Sequence, residues 1–486
     1  MQEFGIRGNH NGRIKWGRKG KFILIFLLAG LLCSCKGAGM EEKAITGESP
    51  EDEPWNHGSY AIMETEAGYY STLENVSLRY YDKATGVSML LCDKPQCQHQ
   101  GDDACEATYK KIQVVNACLY EGEIILEGVE KEQSTVSLNL YRAALDGSRI
   151  DKIGCVISAE NVKGEEVFSK QPDMFDFVFR DPDYSFILHK GYAYVPYYLR
   201  FGKGSIGLKG GGLARIDLKT GEKEEIYAIE YLSQGVPADL MAQGDYVYMK
   251  FFGNYKGSTI KRYVISERRL EDFYGRLPGE EDSSLNLQAP VLLGDRVYDL
   301  NYVYESDESG FWPKSIRFVA YDAGTGEYLE EESFDTGVDY QFPSKAAFAY
   351  EDKLFFADLY CGYWFDKQGN QLARIPFPED LTGVKPDHAT GSNDELEVLY
   401  KVHDGKLYLI FWDRSDLRYD AQGGGNVGYR KRVFTCDLEK LFQGNGEWTE
   451  LFTIEGITAA MPSWRRMTAI IIIRERAACC TARIST

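Results

Sequence analysis

The sequence predicts an all-β fold built from repeated four-stranded units, and three observations predict it. The first is composition: 33 Tyr, 25 Phe and 49 Gly stand against 15 Pro in 486 residues, a balance that favours strands and tight turns over helices. The second is a repeat. A short apolar strand a, a tight turn and an aromatic strand b recur, with the turns at Gly68, Gly122, Gly191, Gly244, Gly294, Asp352 and Gly405. The third is a further turn of the form Asp-x-x-Thr-Gly between strands c and d, at Asp82–Gly86, Asp217–Gly221 and Asp322–Gly326.

The turns are 50 to 69 residues apart, which is the period of a propeller blade. The strands after them (YAYVPYY, YVYMKFF, LFFADLY and KLYLIFW among others) are rich in Tyr, Phe and Val, and YAYV and KLYLIF alternate with period two, as half-buried strands do. In the second turn, the Asp side chain accepts backbone N–H groups further on and the Gly takes the left-handed conformation. The units fall at roughly 59–92, 114–158, 183–230, 236–280, 288–336, 344–378 and 394–455. They predict a β-propeller of about seven four-stranded blades, six to eight being compatible, over 59–460. Tandem sandwiches would need a central linker, and none interrupts the units.

The ends of the chain read differently. Arg13, Lys15, Arg18, Lys19 and Lys21 precede the 11-residue apolar run Phe22–Leu32, too short to span a bilayer and flanked as a signal peptide is. Leu32-Cys33-Ser34-Cys35 follows and is similar to a bacterial lipobox. Residues 1–34 are therefore expected to be a lipoprotein signal peptide and Cys35 the acylated first residue of the mature chain. Residues 35–58 are acidic, Gly/Pro-containing and aperiodic, the pattern of a tether. From Cys35 onward the chain holds 49 Lys+Arg against 73 Asp+Glu, net -24. That excludes nucleic acid as the main partner and leaves the lipid as the membrane contact. Residues 461–486 look aberrant: Tyr and Lys give way to Arg, Ile and the pair Cys479-Cys480. Read two bases later, one allowed back-translation of this stretch contains DGYYYY, the turn and b strand of another unit. A frameshift near Pro462 accounts for that and predicts a defective last blade, with Ile470–Ile473 adding at most one edge strand.

The lipobox, the aromatic b strands and the Asp-x-x-Thr-Gly turns together resemble the propeller-type lipoproteins of Gram-positive anaerobes. The turns are also similar to those of quinoprotein-type propellers, without a quinone-site signature. The resemblance implies an extracytoplasmic, membrane-anchored propeller.

Chemistry-bearing clusters are few. Cys92, Cys97, His99 and Cys105 lie within one d–a link and form a knuckle of metal or disulfide type. Three Cys and one His suit structural Zn²⁺, although C-x4-C-x-H-x5-C is no common finger spacing. Cysteines of exported chains more often pair, as Cys97–Cys105 and Cys92–Cys118 could; free thiols are the third alternative. The resembling lipoproteins carry a similar C-x-x-P-x-C-x-H element, which implies a structural knuckle. Cys361 and Cys436 are expected to be buried apolar fillers. Gly202–Gly207 matches GxGxxG but joins two strands, whereas the dinucleotide motif needs a helix after it.

The long insertions 202–211, 306–314 and 414–428 are predicted b–c loops, which share one rim with the d–a links. On and beside them lie Tyr197, Tyr198, Arg200, Tyr304, Phe311, Trp312, Trp412, Asp413, Arg414 and Tyr419. Aromatic faces beside carboxylates and Arg suit glycans or peptides. The function expected is thus a lipid-anchored propeller on the extracytoplasmic side of the cell membrane, binding a glycan, peptide or protein partner through this rim. The alternatives are a cell-surface glycan hydrolase or lyase and a sensor or structural ectodomain. No motif supplies a catalytic constellation, and propellers host unrelated functions.

Overall fold

The computed structural model describes residues 62–71, 78–91, 112–132, 135–158, 175–176, 186–201, 208–228, 236–252, 259–274, 290–307, 310–339, 343–358, 361–376, 398–403, 405–413, 417–419, 425–458 and 471–472. They form seven antiparallel sheets in chain order. Blade 1 holds β1 (Ile62–Glu64), β2 (Gly68–Ser71), β3 (Arg79–Asp82) and β4 (Ser88–Leu90). Blade 2 holds β5 (Ile112–Tyr120), β6 (Glu123–Glu132), β7 (Thr135–Ala143) and β8 (Ile150–Ser158). A two-residue strand, β9 (Phe175–Asp176), joins blade 3, whose main strands are β10 (Ile187–His189), β11 (Tyr192–Phe201), β12 (Leu208–Asp217) and β13 (Lys223–Ala228). Blade 4 is β14 (Val236–Gln243), β15 (Tyr246–Phe252), β16 (Thr259–Val264) and β17 (Arg269–Tyr274). Blade 5 is β18 (Val291–Leu293), β19 (Arg296–Asp307), β20 (Gly310–Asp322) and β21 (Tyr328–Asp339). Blade 6 is β22 (Pro343–Tyr350), β23 (Lys353–Asp358), β24 (Cys361–Phe365) and β25 (Gln371–Pro376). Blade 7 is β26 (Val398–His403), β27 (Lys406–Asp413), β29 (Gly425–Asp437) and β30 (Thr449–Thr458), with β28 (Leu417–Tyr419) paired to β29. The one helix among the described residues is α1 (Leu438–Phe442).

The third residue of every b strand decides how the blades stack. In chain order these are Tyr70, Ile125, Tyr194, Tyr248, Tyr298, Phe355 and Tyr408. Each joins a buried cluster shared with the next blade. Strand alternation sends one face of each blade forward and the other back, so neighbouring blades interdigitate. Several hydroxyls reach across as well. Tyr70 donates to Leu145 O (3.0 Å) and Tyr248 to Ala323 O (2.8 Å), so these two rings are buried with their hydroxyls paired.

The cluster joining Ile62 and Tyr69 to Tyr408, Ile410 and Val433 packs blade 7 against blade 1, which closes the ring. The defect expected in the last blade does not fall within the ring: blade 7 has all four strands. Of the tail, β31 (Ile471–Ile472) pairs with Ile457 and Thr458 as one edge strand. The rest of 461–486 lies outside the described residues. An open ring is therefore not the outcome, because the seven repeats before Pro462 already supply seven walls.

Turn chemistry follows the repeat. Glu121–Gly122 and Lys190–Gly191 both have positive φ, whereas Gly244 and Gly294 hold it alone as the first turn residue. These are the two primed hairpin turns. Gly68 differs from expectation. It opens β2 rather than the turn, which is closed by Thr65 N–H donating to Gly68 O at 2.8 Å.

In the second turn, Oδ1 of Asp82, Asp217 and Asp322 accepts the N–H of Thr85, Thr220 and Thr325 at 2.7, 2.7 and 2.8 Å. These bonds hold all three carboxyls below their usual range. In blade 7 the equivalent Asp437 instead accepts from Lys440 N (3.0 Å) and becomes the N-cap of α1. The same i to i+3 bond thus serves turn and helix alike.

The glycine of the second turn also has a packing role. A Cβ on Gly221 would collide with Ile153 O of blade 2, and one on Gly326 with Phe273 O of blade 4. Both have φ +74. Gly221→Ala and Gly326→Ala are each expected to cost at least about 2 kcal/mol, adding a collision to the left-handed strain. Gly122→Ala, with φ +75 and nothing within 4 Å, is expected to cost only about 1 kcal/mol. Thermal unfolding of the three variants checks this; equal losses would show that the blade contact contributes nothing.

Candidate functional site

Antiparallel order puts the a–b and c–d turns on one face of the ring and the b–c and d–a connections on the other. The b–c hairpins differ greatly in reach. In blade 5, β19 and β20 have 12 and 13 residues, against three in β18. At ~3.3 Å per residue β19 spans about 40 Å. Most of the predicted loop 306–314 is thus paired strand, with Glu305 opposite Trp312 and Tyr304 opposite Pro313. The register shift between Val303 and Tyr304 falls beside Pro313, a position where a ladder tolerates proline.

The other two predicted loops shorten likewise. β11 and β12 flank 202–207, a hairpin rather than the strand–helix setting that a dinucleotide needs. In 414–428, Leu417 pairs with Val427 and Tyr419 with Gly425. Sequence reasoning missed these arms because a strand continuing past its blade keeps the same alternation, and nothing local marks where the blade ends.

The predicted rim residues are distributed over three of these arms. Tyr198 and Arg200 lie on β11, opposite Gly211 and Lys209; Trp412 and Asp413 end β27, opposite Lys431 and Arg430. Arg414 lies outside the described residues. Tyr197 has a described side chain, and it is buried against blade 2, with its hydroxyl donating to Glu225 and Lys223 Nζ 5.8 Å from its ring. Cys35 and the cluster Cys92, Cys97, His99 and Cys105 lie outside the described residues. So does any Cys92–Cys118 or Cys97–Cys105 bridge, and no disulfide joins two described cysteines. Cys361 and Cys436 are buried in apolar clusters as expected. Burial raises the Cys436 thiol to about 11, which keeps it protonated and inert.

The strongest electrostatic features are in the walls below the arms. The fifth residue of strand b is Pro196, Leu300, Ala357 or Ile410 in blades 3, 5, 6 and 7, but Glu127 in blade 2 and Lys250 in blade 4. Lys250 Nζ lies 2.7 Å from Asp299 Oδ1 of blade 5, and the two residues are 0% and 1% exposed. Glu127, 2% exposed, accepts from Asn116 Nδ2 of the innermost strand β5 at 2.8 Å. Aligning YVYMKFF and EIILEG on their tight turns would have exposed both charges, since the other repeats are uncharged there.

Burial raises the Glu127 carboxyl from 4.5 to about 8, the bond from Asn116 offsetting part of it. The folded state holds a proton that the unfolded chain releases. Its contribution is complete below the unfolded pKa and is lost as pH rises through the folded one. The parent chain is expected to lose up to about 1.4 kcal/mol per pH unit between about pH 5 and pH 8 that Glu127→Gln does not lose. Urea unfolding at pH 5 and pH 8.5 checks this; parallel losses in both chains would remove the protonated carboxyl.

No protein-family model matches the chain, nor does any curated protein sequence. Among solved structures, it is similar to a puromycin hydrolase (S511A mutant complexed with PGG) at 9% identity and TM-score 0.40, covering 77% of this chain and 50% of that one. The polysaccharide lyase Uly1 gives 11%, TM-score 0.38 and coverages of 79% and 90%. Porphyromonas gingivalis dipeptidyl peptidase 4 gives 11%, TM-score 0.36 and coverages of 83% and 57%. The chain spans half the length of the puromycin hydrolase. These likenesses are too weak to bear on chemistry, and the propeller assignment rests on the seven blades themselves.

Proposed function

We propose that this chain is a lipid-anchored extracytoplasmic propeller that binds a glycan, peptide or protein partner between the arms of its b–c face. The observation that carries the reading is the set of extended b–c hairpins on blades 3, 5 and 7, all on one face, which bear Tyr198, Arg200, Tyr304, Trp312, Trp412 and Asp413. Rigid strands position aromatic and charged groups better than loops do, and stacking with neighbouring carboxylates and Arg suits sugar rings and peptides. The Leu32–Cys35 lipobox supports the anchor, and the acidic tether after it supports display away from an anionic surface.

A glycan and peptide array probed with the full-length chain tests binding. Trp312→Ala with Trp412→Ala is expected to weaken any hit at least tenfold, about 1.4 kcal/mol, while the unfolding temperature stays put. Undiminished binding by that variant would move the site off the arms. Released fragments of a bound polysaccharide would instead favour the hydrolase or lyase alternative. Metabolic labelling with an alkyne fatty acid tests the anchor, and equal label in Cys35→Ala would remove it.

A further inference from the structure

The wall between blades 4 and 5 holds a lysine and a carboxylate with almost no exposed surface. Lys250 is 0% exposed and Asp299 1%, with Nζ 2.7 Å from Oδ1. Asn301, two residues along the same face of β19, is 5% exposed. The apolar part of this wall is Met241, Tyr248, Val297, Val319 and Tyr321. We propose that Lys250 and Asp299 condense into an intramolecular amide that staples blade 4 to blade 5.

Three physical reasons support it. A buried ammonium–carboxylate pair is costly to desolvate, and condensation removes both charges from the wall. The reacting forms are amine and acid, reached by one proton passing from Nζ to Oδ1 along their contact. With Nζ at 2.7 Å from Oδ1, Cγ lies no more than one carbon–oxygen bond farther away. Two rigid strands hold this arrangement, so the bimolecular step becomes intramolecular. The step balances without a co-reactant: Nζ attacks Cγ, the Nζ–Cγ bond forms, the Cγ–OH bond breaks, and the hydroxyl leaves with an amine proton as water. Expulsion of water from a dry wall opposes the reverse reaction.

Trypsin does not cut after an acylated lysine. The full chain, denatured and digested, is expected to yield peptide 224–256, uncut at Lys250, joined to peptide 297–314 and lighter by one water than their sum. Asp299→Ala is expected to restore the cut after Lys250, and this reads the covalent state whether or not the variant folds. Recovery of separate 224–250 and 297–314 peptides from the parent chain, fresh and after days at the highest temperature it survives, overturns the proposal and leaves an ion pair. A water loss that maps to any other pair of peptides overturns it equally.

Discussion

Lys250→Ala is expected to destabilise the ring by about 3–5 kcal/mol, because it leaves the Asp299 carboxyl buried without the cation it faces. The geometry is unforgiving: both residues are essentially unexposed, so water cannot replace the lost partner without opening the wall. If the pair is condensed the loss is larger still, since the variant then also gives up a covalent link between the two blades. Replacing both groups with apolar ones, Lys250→Met with Asp299→Leu, is expected to recover most of it, as the two desolvation costs vanish together. Chemical denaturation of the parent, single and double variants measures this. A single variant within about 1 kcal/mol of the parent would mean that the wall relaxes and admits solvent.

Glu64→Ala is expected to cost about 3 kcal/mol and to weaken the closure between blades 7 and 1. Glu64 ends β1, and its side chain is 8% exposed. Burial alone would raise its carboxyl, but Lys83 (2.6 Å), the Tyr408 hydroxyl and Lys406 (3.2 Å) donate to it and bring it from 4.5 down to about 2. That difference is worth about 3 kcal/mol. A depressed carboxyl contributes fully above its unfolded value and loses its contribution as pH falls through the folded one. The parent is therefore expected to lose this increment between about pH 5 and pH 2, and Glu64→Gln to lose none of it. Acid titration of the unfolding free energy in both chains checks the sign, and identical acid profiles would remove Glu64 from the closure. Lys83 and Lys406 are partly exposed, so they rehydrate in the variant and the Tyr408 hydroxyl bears most of the loss.

The seven units were legible in the sequence because each blade is a local object. Period-two alternation, a primed turn and an Asp-x-x-Thr-Gly turn involve residues only a few positions apart, and the short-range bonds that cause them also mark them. The units expected at 114–158 and 236–280 are thus found as strands spanning 112–158 and 236–274. The aromatic b strand was legible as well, although its reason was not. Tyr248 and Tyr408 recur because each fills the next blade, and that contact is between residues far apart in the chain.

Tertiary structure alone decided three matters. Ring closure depends on Glu64 meeting Tyr408, 344 positions away, so composition at the tail could not foretell it. The arms depend on how far β19 and β20 stay paired beyond their neighbours, and alternation is the same on either side of that limit. The buried charges depend on register between blades. Lys250 is one of 55 basic residues, and only the approach of two walls takes it out of water and places it against Asp299. The residues themselves determine which local bonds can form; the environment that changes their chemistry is made by distant parts of the chain, because desolvation requires neighbours on every side.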